Sequence, residues 1–165
     1  MMEFQIGDKV VHCVYGVGEI IQIEKKILAG RSVSYYRVQI RDLTLWVPIN
    51  GTGRQSLRLP TSASQFEERI QVLGSAGELL SEDRLERKTQ LAEQMKNGTL
   101  ESLCCVIRDI TSYGRSKKLN DNDHTILERA KNLLLEEWVL SLSVSLPEAQ
   151  RELKHILGDD SRIVK

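Results

Sequence analysis

The chain has 165 residues, with 23 Lys and Arg against 23 Asp and Glu and no formal net charge. That length holds one domain or two small ones, and the balance excludes a strongly basic, histone-like or tail-driven nucleic-acid binder. An apolar content of 41% that recurs periodically excludes disorder driven by charge.

In chain order, the first third reads as short strands between turns. Lys9-Val10-Val11-His12 follows a Gly7-Asp8 turn. Tyr15-Gly16-Val17-Gly18 then leads into Glu19–Glu24, where Ile21 and Ile23 alternate with Gln22 and Glu24 as in a half-buried strand. Ala29-Gly30 is the next turn. Ser34–Ile40 alternates again, with Tyr36, Val38 and Ile40 on one face, and Arg41-Asp42 reverses the chain into Leu43–Pro48. Six of the 11 glycines (Gly7, Gly16, Gly18, Gly30, Gly51, Gly53) lie here, so tight turns concentrate before Pro60. Strands this few and short predict a small SH3-like or Tudor-like barrel.

After Pro60 the texture changes to Leu, Ala, Glu, Gln, Arg and Lys, and the pattern predicts about five helices. Ser64–Leu73 puts Phe66, Ile70 and Leu73 on one stripe, with Gly74 as the C-terminal cap. Ser81 is expected to cap a helix running to Asn97-Gly98. Thr99 caps the next, with Leu100, Leu103, Cys104, Ile107 and Ile110 inward. Asn120 or Asp121 opens the longest, through Ile126, Leu127, Ala130, Leu133, Leu134 and Trp138. Ser145-Leu146-Pro147-Glu148 reads as a capping box opening a last helix to Leu157. The expected fold is α+β: a β-barrel over 1–60, an all-α domain over 61–158 and a frayed tail over 159–165. Charge divides at the same boundary. Residues 1–60 hold 8 basic and 5 acidic groups, net +3, and residues 61–165 hold 15 and 18, net −3.

No catalytic template fits. His12 and Cys13 are neighbours in a strand and point to opposite faces. His124 and His155 lie on different helices without ligand-spaced neighbours, and Cys104 and Cys105 sit in an apolar helix where thiols are core residues. The CxxC, HExxH, P-loop and GxSxG patterns do not occur, and Gly16-x-Gly18 lacks the helix a dinucleotide fingerprint requires. The reading is a binding module, not an enzyme, with no metal and no cofactor. The odd count of three Cys suits a reduced cytoplasmic compartment. No apolar run reaches the ~18 residues of a membrane span, and the N-terminus lacks a signal-peptide core.

Taken together, Phe4-x-x-Gly7-Asp8-Lys9-Val10-Val11, Tyr15-Gly16-Val17-Gly18, Tyr35-Tyr36-Arg37-Val38 and Val47-Pro48 resemble the CarD/CdnL family of bacterial transcription regulators. The helical segments Val106–Ile110, Ile126–Ala130, Leu134–Glu137 and Leu146–Ala149 extend the resemblance across residues 2–157. The resemblance implies a Tudor-like domain that pairs by an exposed β edge with the RNA polymerase β subunit. It also implies a helical domain at the upstream edge of the promoter bubble, stabilising the open complex without base-specific readout.

On that resemblance the polymerase-facing residues are Lys26, Arg41, Trp46 and Pro48, and the DNA-facing residues are Arg84, Arg87, Lys88 and His124, with Lys117 and Lys118 nearby. Two positions depart from the family pattern. Trp46 stands where a basic residue usually precedes the Val-Pro, and Arg84 stands where a Trp usually wedges into the minor groove. An Arg can still enter a narrow minor groove, where the negative potential is deep. His124 replaces a usual Lys. The alternatives are a CarD-like protein that binds polymerase and has lost DNA contact, or an adaptor whose barrel pairs with some other protein. A homodimer formed by strand exchange between barrels is compatible with either.

Overall fold

A computed structural model describes residues 4–49 and 56–158. Two compact units divide the chain, Met1–Pro60 and Thr61–Lys165. The first unit is an antiparallel sheet of β1 (Lys9–His12), β2 (Gly16–Leu28), β3 (Arg31–Ile40), β4 (Leu43–Pro48) and β5 (Leu57–Arg58), in the order β4-β3-β2-β1-β5. Tyr36, Val38 and Ile40 point inward as their alternation predicts. They bury with Phe4, Val10, Ile20 and Leu57 into one core. Phe4 closes an edge of it, its ring set edge-on to Tyr36 at 5.5 Å and its N–H donating to the Tyr36 hydroxyl at 3.0 Å.

The β2 pattern departs from expectation. Strict alternation points Ile21 and Ile23 inward, yet Ile20 is the buried isoleucine and Ile23 is 42% exposed. A bulge between Ile20 and Gln22 breaks the two-residue period, so Ile20 pairs with Val38 and Ile23 with Tyr36. Gly16 and Gly18 belong to β2 itself, with no helix after them. Gly18 is needed for close approach: a Cβ there would lie 2.5 Å from the Ile40 side chain and 2.8 Å from the Gln39 carbonyl oxygen. Glycines 51 and 53 and the expected tail at 159–165 lie outside the described residues.

Among the described residues the second unit has five helices. These are α1 (Ala63–Arg69), continued by a 3-10 helix (Ile70–Gly74), α2 (Arg84–Asn97), α3 (Leu100–Gly114), α4 (Asp121–Leu142) and α5 (Leu146–Leu157). Phe66, Ile70 and Leu73 are buried as predicted, though the stripe passes from α-helix to 3-10 helix midway. Phe66 meets Trp138 edge-on at 5.5 Å inside the core, which α3 and α4 dominate.

The caps explain the boundaries. Thr99 Oγ1 accepts from the Ser102 amide, and Asn120 and Asp123 form a full capping box. Ser145 accepts from the Glu148 amide. At α2 the cap is Asp83 instead of Ser81, because one Asp83 oxygen accepts from both the Leu85 and Glu86 amides. Ser81 instead accepts from the Asp83 amide.

Two polar clips hold the irregular stretches. Asp109 on α3 accepts from the Glu78 amide and from Arg108, whose guanidinium also reaches Ser75, so the segment before α2 is tied to α3. Glu137 is fully buried on α4 and accepts from the Thr61 amide at 2.9 Å and its hydroxyl at 2.7 Å. That carboxylate fastens the start of the helical unit to the C-terminal half of its longest helix.

Candidate interaction sites

The first site lies on the outer sheet face at the β4 edge. Trp46 opposes Arg37 in the β3–β4 register, so both side chains leave the face opposite the core. Trp46 Nε1 donates to Glu24 Oε2 at 3.1 Å, Arg37 pairs with Glu24 Oε1 at 2.9 Å, and the Lys26 ammonium sits 4.8 Å above the indole. An indole that is 45% exposed is thus held from its edge and capped by a cation, with its remaining surface open. β4 is bonded to β3 and forms the end of the sheet, so its other edge can accept a strand.

Of the expected polymerase-facing residues, the structure brings Lys26 and Trp46 together, with Pro48 exposed farther along β4. Arg41 is not with them. It sits in the turn at the other end of β4, holds φ +52°, and donates from Nη2 to the Tyr15 carbonyl at 3.2 Å. Glu24 and Arg37 complete the cluster and were not foreseen. Only the strand register, invisible to a linear pattern, puts them beside Trp46.

The second site is the N-terminal end of α2. Arg84 and Lys88 are exposed there, and so is Leu85, at 77%. Arg87 is not a surface cation: it is 3% exposed and donates two hydrogen bonds to the Asp123 carboxylate, Nε to Oδ1 at 2.9 Å and Nη2 to Oδ2 at 3.0 Å. Its Nη1 donates to the Ser81 and Glu82 carbonyls and the Tyr113 hydroxyl, and the guanidinium stacks 4.7 Å from the Tyr113 ring. The Asp123 hydrogen bond holds the guanidinium pKa above its ordinary value against the cost of burial. The expectation that Arg87 faces DNA is therefore corrected, since every donor points into the protein.

The remaining charge is modest. Lys117 pairs with Glu82 at 2.8 Å in an exposed contact, and Asp83 and Glu86 flank Arg84. His124 is exposed in the first turn of α4, next to Asp123. The Arg87–Asp123 pair thus draws the starts of α2 and α4 together, so Arg84, Lys88 and His124 share one end of the helical unit.

Burial pushes the Cys104 thiol up to about 12, far from a reactive thiolate, and burial raises Cys105 as well. Among the described residues no group of three His, Cys, Asp or Glu side chains converges to hold a metal ion. No helix among them is long and apolar enough to cross a membrane.

Comparison with known proteins places both units. The model of the CarD-like/TRCF RID domain matches residues 4–58, and that of the CarD C-terminal domain matches residues 68–154. The chain is also similar to "Putative transcription factor YdeB" of Bacillus subtilis (strain 168), 27% identical over 139 residues, which is 81% of this chain and 89% of that relative.

Proposed function

The chain belongs to the CarD family of transcription regulators, and from that premise we propose that it binds the RNA polymerase β subunit through the β4 edge and supports the promoter open complex through its helical unit. The observation that carries the polymerase half is the Trp46 cluster on an edge strand. Strand addition supplies main-chain bonds, while a half-exposed aromatic supplies the side-chain anchor typical of interface hot spots. Acting on polymerase, the protein works in the bacterial cytoplasm, at the nucleoid.

The DNA half rests on the α2 end. Arg84 and Lys88 suit phosphate oxygens or a narrow minor groove. Leu85, one residue beyond the position the resemblance gives to a Trp, is an exposed apolar side chain of the kind that wedges between base steps. Arg84 then serves as the electrostatic partner and Leu85 as the wedge. The contact is weak and independent of sequence.

A pull-down of the full chain on the isolated β-subunit lobe tests the first half. Wild type is retained and Trp46→Ala is lost; equal retention of both disproves the assigned interface. Open-complex lifetime tests the second half, with Leu85→Ala and Arg84→Ala each shortening it. The rival reading, polymerase binding without DNA contact, gains from the internal use of Arg87. It predicts unchanged lifetimes and no DNA retention even at low salt. A homodimer by strand exchange would compete for the same edge, and a dimer that polymerase does not dissociate would favour it.

A further inference from the structure

We propose that the buried Arg87–Asp123 pair is a positioning device that aims Arg84, Leu85 and Lys88 at nucleic acid; this deepens the DNA reading above and rests on it. The argument begins with what does not hold α2 in place. From Arg84 to Gln90 every side chain is exposed except Arg87, and the first buried apolar residue of the helix is Leu91. The two turns that carry the candidate DNA contacts therefore have no hydrophobic anchor. Their attachment to the rest of the unit is polar and centres on one guanidinium.

That guanidinium is fully engaged in three directions. Two donors meet the Asp123 carboxylate on α4, and the third nitrogen meets the Ser81 and Glu82 carbonyls just before α2 and the Tyr113 hydroxyl on α3. Asp123 is itself fixed, because its Oδ2 accepts from the Asn120 amide at 2.9 Å within the α4 capping box. The chain of contacts runs from a rigid cap, through a planar fork, to the helix end that presents the cations. An Arg does this where a Lys cannot, since the fork sets direction as well as distance. An apolar residue would fill the volume but leave the first turns of α2 free to rotate.

The test uses the full chain and a fluorescent promoter-fork DNA, with affinity measured against salt. Wild type is compared with Arg87→Lys, Arg87→Met and the double variant Arg84→Ala/Lys88→Ala. Each engaged cation contributes roughly −0.9 to the slope of log affinity against log salt. The double variant and Arg87→Met are thus each expected to flatten the slope by about 1.8, with Arg87→Lys partway between.

Adding Arg87→Lys to the double variant should flatten the slope no further, because the slope counts only the cations that Arg87 aims, and both are already removed. Amide hydrogen exchange supplies a readout without DNA: Arg87→Lys should speed exchange over residues 84–90 and leave α3 and α5 protected. Should Arg87→Met fail to fold, the Lys variant carries the comparison.

A wild-type slope in Arg87→Lys, or an undiminished loss of slope when it is added to the double variant, overturns the proposal. If wild type shows no DNA binding at any salt, the DNA reading fails and the positioning role falls with it. In that case the exchange result would leave Arg87 as a structural tie alone.

Discussion

His12 ends β1 with its Nδ1 accepting from two backbone amides, Val14 at 3.0 Å and Tyr15 at 3.3 Å. Only the neutral ring has that lone pair, and burial lowers the imidazole pKa below its ordinary 6.5. The neutral His12 therefore supports the fold fully above the unfolded value of 6.5, and that support fades as pH falls through the lower folded value. His12→Asn keeps an acceptor for the same two amides and removes the titration. Thermal melts at about pH 7.5 and about pH 5.5 should show a larger fall in Tm for wild type than for His12→Asn; parallel falls would contradict this account. Cys104 makes a second case at this scale. With its thiol at about 12 and fully buried, it should resist alkylation in the native chain and react only on unfolding. Labelling at the rate of an exposed thiol would show that the α3 core opens more readily than its packing implies.

Elements depend on conformations as well as on side-chain contacts, and the β2–β3 hairpin shows the cost of one poor residue. Leu28 pairs with Arg31, so Ala29 and Gly30 form a two-residue loop, with φ of +51° and +77°. Glycine accepts such angles freely, whereas Ala pays roughly 1–2 kcal/mol for its Cβ. Ala29→Asn restores the preferred Asn-Gly pair, and because Ala29 is exposed no packing is lost. The variant should be more stable by about 0.5–1 kcal/mol in denaturant melts; an unchanged midpoint would contradict the strain. Legibility in the sequence follows the same division between local and distant causes. Thr99, Asn120 and Ser145 could be read as caps because a cap acts within three residues, and the α3 stripe could be read because its period is local. The β2 bulge could not, since the extra residue is defined only by its pairing with β3. Arg87 was misread for the same reason: its partner lies 36 residues away, and a cation on a polar helix looks solvent-facing until that pairing is known. Trp46 and Lys26 can be singled out in the sequence as candidates, but that Glu24 and Arg37 join them depends on the strand register.

For the whole molecule, the absence of net charge acquires a more specific meaning. The net +3 of residues 1–60 and net −3 of residues 61–165 place the negative balance on the unit proposed to touch DNA. Within that unit Arg87 is neutralised by Asp123 and Lys117 is paired with Glu82, leaving Arg84 and Lys88 as the principal cations of the α2 end. Two phosphate contacts correspond to a salt slope of about −1.8, which is weak beside proteins that find DNA unaided. Such weakness is no handicap for a protein delivered by polymerase, because tethering supplies effective concentrations on the order of millimolar. The full chain alone should therefore bind promoter-fork DNA only at low salt, with a slope near −2. The same chain held on polymerase should keep its DNA contact at physiological salt. Anisotropy titrations with and without polymerase measure both. A slope steeper than about −4 for the free chain, or tight binding at physiological salt without polymerase, would mean that DNA recognition resides elsewhere on the surface. Trp46→Ala links the tasks proposed for the two units. It should leave the free chain's weak DNA binding unchanged and abolish the polymerase-dependent contact, an outcome that neither unit's chemistry would produce on its own.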